Sequence, residues 1–264
     1  MEHQHIAGPD DQQITQFIAD GYLRIDNAFS KDAAARARDL LWQQLDVNPN
    51  QPESWTQPVV RLGMQIDPDI VATANTPQLY AAYDALVGKG RWVSPQAIGT
   101  FPIRFPSDID PQDSGWHVDM SFGTENPDFM AWRINVKTDH RALLMLFLYS
   151  DVSLDDAPTR IRAGSHAHIA RQLLPHGQKG LSLHDLATDG FASSDECPEV
   201  LATGDAGTVY LCHPFIVHAA QPHHGREPRF MAQPSLIPTG GFDPALPPSP
   251  VQRAIRLACG LNFG

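Results

Sequence analysis

Gly204-Asp205-Ala206-Gly207-Thr208-Val209-Tyr210-Leu211-Cys212-His213-Pro214-Phe215-Ile216-Val217-His218-Ala219-Ala220 is the stretch that decides how the chain folds. It reads as a turn, a strand over 208–212, a kink at Pro214 and a second strand over 216–220. The same texture extends outward from it. Short strands are expected at 99–105, 116–119, 130–136, 142–149, 159–163 and 229–236. Turn residues separate them at irregular intervals, and no long helix intervenes. That pattern favours an antiparallel sandwich or jelly roll over alternating βαβ units.

Before about Trp92 the periodicity is helical. Ile14, Phe17 and Ile18 share a face and stop at Gly21, after which 22–25 reads as a strand. Ser30 is the expected N-cap of a helix running to Leu45, with Leu40, Leu41 and Leu45 inward. A further helix is expected over 78–86, closed by Gly88. The insertion 167–203 starts helical (Ile169, Leu173, Leu174) and continues as loop; with 121–130 it is a candidate lid. With no linker in view, 1–264 reads as a single domain: helices at about 10–90, a β core at about 92–240 and a C-terminal segment over 241–264.

Composition excludes several classes. The 264 residues carry a net charge of -11, with no lysine- or arginine-rich run, so a nucleic-acid partner is not expected. No stretch approaches the roughly 18 consecutive apolar residues of a membrane span. The three cysteines form no C-x-x-C pair, and the polar first eleven residues lack an apolar leader. Both point to a reduced, cytoplasmic protein.

Chemistry enters at His117-Val118-Asp119. In a strand, residues two apart share a face, so an imidazole and a carboxylate stand side by side. A lone H-x-D triplet is weak evidence. Two histidines and one carboxylate, however, make the facial ligand set of non-heme iron, which leaves positions open for cosubstrate and oxygen. The second histidine must come from a distant strand, and 204–220 offers His213 and His218. Arg229 lies eleven residues beyond His218 and sixteen beyond His213. A hairpin of the shorter length returns Arg229 alongside His218, where its guanidinium can grip a carboxylate through two parallel hydrogen bonds. His213 then reads as a packed histidine.

At this point the chain resembles the phytanoyl-CoA dioxygenase (PhyH-like) family of Fe(II)/2-oxoglutarate oxygenases. Phe17-Ile18-Ala19-Asp20-Gly21-Tyr22-Leu23 is similar to that family's opening helix and strand, and Trp116-His117-Val118-Asp119 to its W-H-x-D motif. Ala157-Pro158-Thr159-Arg160-Ile161-Arg162-Ala163-Gly164-Ser165-His166 resembles the segment that ends P-G-S-H. His218 and Arg229 fall at the spacing of its second histidine and 2-oxoglutarate arginine. The resemblance implies a mainly β fold with flanking helices around a double-stranded β-helix, a cupin-like jelly roll. It also implies Fe(II) held by His117, Asp119 and His218, with 2-oxoglutarate on Arg229, and O2 oxidising a C–H bond of a small molecule to release succinate and CO2. Two positions depart from the family. Ala163 replaces the proline, and Ala220 replaces a frequent serine or threonine, so another group must complete the cosubstrate pocket. Arg104 and Arg160 are candidate substrate contacts. Trp116 and Trp132 read as pocket walls, Trp132 with a possible substrate contact.

Plainer readings stand beside these. His166 and His168 lack the further ligands of a zinc site, and a helix start at Ser165 and His166 suits them better. His223 and His224 read as solvated turn residues. Two rival functions remain: a zinc-dependent cupin-like hydrolase or isomerase, which has no use for Arg229, and a non-catalytic jelly-roll binding protein. Asp119 argues for hydroxylation, or a desaturation or ring closure by the same oxidant, over halogenation, because halogenating relatives give up that carboxylate.

Overall fold

A computed structural model describes residues 8–241 and 245–261; the expected C-terminal segment therefore lies partly outside the described residues. Seven α-helices occur among them: α1 Asp11–Asp20, α2 Lys31–Trp42, α3 Pro68–Thr73, α4 Pro77–Val87, α5 Ser165–Leu173, α6 Leu183–Leu186 and α7 Pro250–Ala258. The strands used below are β1 Tyr22–Ile25, β2 Val59–Leu62, β3 Trp92–Val93, β4 Phe101–Arg104, β5 Arg133–Ile134, β6 Leu143–Leu148, β7 Arg160–Arg162, β8 Leu181–Ser182, β9 Glu199–Leu201, β10 Val209–Cys212, β11 His218–Ala219, β12 Met231–Ala232 and β13 Ser235–Pro238.

The apolar run of β6, Leu-Leu-Met-Leu-Phe-Leu, is buried on both faces and organises the molecule. Leu143, Met145 and Phe147 join Val209, Leu211 and residues of α2 and α4 in one core. Leu144, Leu146 and Leu148 face the other way and meet Tyr210, Cys212, Ile161 and Met231. A strand whose alternate residues enter two different cores lies in the middle layer. Helices therefore cover one face of the large sheet, and a smaller sheet covers the other.

The large sheet runs β1-β10-β6-β13-β3, with β12 also on β6, and its pairs are antiparallel. β12 and β13 pair with β6 in one unbroken register, Met231 opposite Leu148 and Leu236 opposite Leu143. Pro234 interrupts them because it has no N–H to give the ladder, although its carbonyl still accepts from Met145 N at 3.0 Å. The small sheet runs β11-β7-β9, and His117 adds to its edge through an isolated bridge to His218.

Several expectations are corrected. The N-terminal region holds a strand beyond the expected one at 22–25: β1 joins the large sheet, Tyr22 opposite Cys212, and β2, which was not anticipated, pairs with β4. The insertion after Ala167 is more than loop, since β9 completes the small sheet. The run expected as one strand at 130–136 is a short 3-10 turn followed by β5. α2 ends at Trp42, and Leu45 packs beyond it. The helix α7 was not anticipated; it packs on α1, α4 and α5.

Helix ends follow local chemistry. Ser30 caps α2 by accepting from Ala33 N at 3.1 Å. Gly21 ends α1 with φ 79°, and its carbonyl accepts from His213 N at 2.8 Å. A Cβ there would strike the His166 ring and the Ile216 side chain. Gly21→Ala is expected to lower stability by about 2 kcal/mol or more, from backbone strain plus the clash, as read by urea unfolding.

His166 and His213 stack at 4.8 Å between ring centroids. The His166 ring lies 3.1 Å from the Ile18 carbonyl, and the His213 ring lies 3.2 Å from that of Val251. Both are thus packing groups rather than ligands. Burial, aided by His168 and Arg171, pulls His166 down to about 4, and burial, aided by the His166 ring, holds His213 well below the ordinary histidine value. The unfolded chain therefore binds more protons. Stability is complete above about pH 6.5 and falls as pH drops toward 4. Urea midpoints at pH 7.5 and 5 should show that loss, and equal midpoints would contradict the buried-neutral assignment.

Candidate metal centre

His117 and Asp119 sit in a segment too irregular to be a regular strand, yet alternation holds there. Val118 is buried in the cluster on the outer side of the small sheet, while His117 and Asp119 face the interior. The backbones of His117 and His218 exchange two hydrogen bonds, each 2.9 Å. Directly opposed residues of an antiparallel pair present their side chains on one face. The two rings accordingly lie 4.3 Å apart.

One ligand atom from each of His117, Asp119 and His218 falls within 4.8 Å of the others. Asp119 Oδ1 is 3.8 Å from His117 Nε2 and 3.6 Å from His218 Nε2. The Nδ1 atoms face backbone carbonyls, His117 that of Gly115 at 3.0 Å and His218 that of Ile216 at 3.2 Å. Protons on Nδ1 leave both Nε2 lone pairs free to converge. His218 is only 1% exposed and its Nε2 has no hydrogen-bond partner. A buried nitrogen without a partner is costly unless something else satisfies it, and a cation does so. Burial and the neighbouring His117 hold His218 down to about 4, so it stays a neutral donor near pH 7.

Arg141 completes the centre. Its Nη1 lies 3.1 Å from Asp119 Oδ2, and its Nη2 donates to the Met120 carbonyl at 3.0 Å. Burial alone would raise the Asp119 carboxyl; Arg141 and the two histidines outweigh it and hold it below the usual range. Oδ2 is thereby committed to Arg141, and Oδ1 is left for single-oxygen ligation. Such a set suits a six-coordinate transition metal with open positions.

The centre opens on a cavity of about 870 Å³. Trp116 and Trp132 line it, as expected for walls, and Phe129, Met130, Leu183 and Ala187 reach it from the two segments read as lids. Arg160 does not reach it. Its guanidinium lies 4.5 Å from the Trp116 ring centroid and that of Arg162 4.2 Å, so two cations hold one indole. Arg229 is fully buried, but not on a hairpin with His218. The chain crosses from the small sheet to the large one between them, and Arg229 bridges Arg104. Met231, on the same parity as Arg229, belongs to the core between the sheets, so Arg229 faces that interior. Its guanidinium donates to the carbonyls of Ala157 and, at 3.1 Å, Pro102. Arg104 is buried beside it and bound to Asp113. His223 is buried rather than solvated and lies 2.8 Å from the Glu227 carbonyl, while His224 is exposed. Sequence reasoning missed Arg141, Asp113 and Arg61. The one signal for Arg141 was a cation directly before the apolar run 142–149, where a strand entering a core leaves it little water.

No protein-family model matches the sequence, and no curated protein matches it. Solved structures do. The non-heme alpha ketoglutarate dependent carbocyclase SnoK from nogalamycin biosynthesis superposes with TM-score 0.59 at 15% identity, covering 87% of this chain and 84% of that one. EctD from S. alaskensis in its apoform gives 0.56 at 19%, covering 90% and 80%. HygX from Streptomyces hygroscopicus with nickel, 2-oxoglutarate and hygromycin B bound gives 0.54 at 17%, covering 88% of each chain. At such identities the likeness is one of fold.

If Arg141 orients Asp119, Arg141→Met should weaken Ni(II) binding about 10- to 100-fold without unfolding the protein. Titration calorimetry, with circular dichroism as the folding control, measures this.

Proposed function

We propose that the chain is a non-heme Fe(II)- and 2-oxoglutarate-dependent dioxygenase that hydroxylates a C–H bond of a small organic molecule. The observation that carries the reading is the convergence of the buried, unpartnered His218 Nε2 with His117 and Asp119 Oδ1, the latter two residues lining the large cavity. The two packed sheets are then the halves of a double-stranded β-helix, and the whole chain is one catalytic domain of the PhyH-like kind. The fold neighbours support this: SnoK is described as alpha ketoglutarate dependent, and HygX holds nickel and 2-oxoglutarate.

Each residue has a task. His117, Asp119 and His218 hold the metal on one face. Arg141 keeps Oδ2 of Asp119 occupied, so the carboxylate takes one coordination position and not two. Arg229 receives the distal carboxylate of 2-oxoglutarate by charge-assisted hydrogen bonds. Trp116, Trp132, Phe129 and Met130 exclude water around the substrate and orient it. With these in place, iron, 2-oxoglutarate and O2 supply the oxidising chemistry, releasing succinate and CO2.

Asp119 supports hydroxylation over halogenation. The rival hydrolase or isomerase reading gives Arg229 no work. The cavity is of a size for a drug-sized molecule, with more apolar than polar wall. The net charge of -11 disfavours nucleic acid as a partner. Among the described residues no helix is long and apolar enough to cross a membrane. The three cysteines are unpaired, which suits the reducing cytoplasm.

Anaerobic addition of Fe(II) and then 2-oxoglutarate should give a visible metal-to-ligand charge-transfer band, and Asp119→Ala should abolish it. A folded protein that gives no band, or an Asp119→Ala variant with full succinate release, would sink the assignment. A screen of small molecules for stimulated succinate release then identifies the substrate.

A further inference from the structure

Arg104 and Arg229 exchange backbone hydrogen bonds at 3.1 and 2.8 Å, so their side chains share one face of an antiparallel pair. That face is the interior between the sheets, where Arg104 is 2% exposed and Arg229 1%. Two like charges side by side in a core are costly unless anions meet them. Asp113 is the carboxylate that does so. Arg104 Nη2 donates to its Oδ1 at 2.7 Å and its Oδ2 at 2.6 Å, and Arg61 Nη2 donates to Oδ2 as well. Arg229 has only two backbone carbonyls as acceptors. The Nε atoms of both Arg104 and Arg229 are buried without a partner. Two guanidiniums, Arg104 and Arg61, thus share one carboxylate, Arg229 has none, and Arg104 and Arg229 each keep an unused Nε donor.

We propose that Arg104 and Arg229 act as a pair in binding the distal carboxylate of 2-oxoglutarate, and that Asp113 is an internal carboxylate that competes with it for Arg104. The inference rests on the dioxygenase reading and adds to it a second cosubstrate-binding arginine and a lock. Charge supports the pairing: burial and the adjacent Arg104 bring Arg229 down to about 9, with Asp113 opposing, so Arg229 remains a cation near pH 7. Ala220 shares the parity of His218 and offers no hydroxyl to a carboxylate, whereas Arg104 offers a guanidinium.

Displacing Asp113 is geometrically open. It lines the cavity, and its second partner, Arg61, has a side chain 54% exposed to solvent. The loop that carries it also carries Gly115, whose carbonyl faces His117 Nδ1. A competing internal carboxylate reduces apparent affinity by the fraction of molecules in which it has let go.

Calorimetry with N-oxalylglycine on the Ni(II)-loaded full chain tests this without turnover. Asp113→Asn should bind the probe about three- to tenfold more tightly than wild type, and Arg61→Gln, changed at the solvent side, should shift in the same direction. Arg104→Gln should weaken the probe about tenfold or more. Ni(II) affinity, measured separately, should hold within about twofold throughout. Unchanged or weaker probe binding in Asp113→Asn and Arg61→Gln overturns the lock, Asp113 then being only a brace for Arg104. Should Asp113→Asn not fold, Arg61→Gln decides alone. A wild type that binds Ni(II) but not the probe overturns the dioxygenase reading and this inference together, and so is told apart from failure of the lock alone.

Discussion

The reciprocal backbone pair between His117 and His218 is the constraint on which the centre depends. Two hydrogen bonds of 2.9 Å place residues about a hundred positions apart directly opposite each other. Both imidazoles are thereby sent to one side, and Asp119, two residues on, follows by alternation. Nothing in the side chains has to find its partner after folding, because the ladder has already done so. The centre is built into β-pairing rather than carried on a loop, an arrangement that favours precision over adaptability.

Around that pair the interior is asymmetric. On one side lies the triad His117, Asp119 and His218, with Arg141 holding Oδ2 of Asp119 and leaving Oδ1 free. On the other lies a cationic strip, Arg104 and Arg229, made where the end of β4 bridges the chain that leads into β12. Between them is Asp113, on the short run of chain that leads into His117. A buried excess of positive charge is ordinarily a liability. Here it is concentrated where a small dianion of the 2-oxoglutarate kind would bring compensation.

Much of this was legible in the sequence, for identifiable reasons. Gly21, Ser30 and Gly88 marked helix ends because their chemistry is local. The apolar run 142–149 announced a strand buried on both faces. His117, Asp119 and His218 are brought together as their order and spacing implied. What was missed is non-local. Whether Arg229 returned beside His218 or crossed to the other sheet depended on pairing that loop length alone does not set, and Arg104 proved to be its neighbour. Arg141 and Asp113 are single charged residues with no motif about them, and their roles exist only through partners 22 and 9 positions away. β9 was hidden because a three-residue strand inside a long insertion has almost no periodic signal.

The clamp on Trp116 gives the protein a built-in optical probe. An indole's emission responds to the electric field across its ring, and here two guanidiniums lie within 4.5 Å of its centroid while the next residue is His117 of the His-Asp-His triad. Of the chain's five tryptophans, Trp116 and Trp132 line the cavity. Two of the chain's five emitters thus report on its chemical centre. Binding there can be followed in dilute solution with no label attached, and a lysine in place of either arginine would retune the signal even where the net charge is kept.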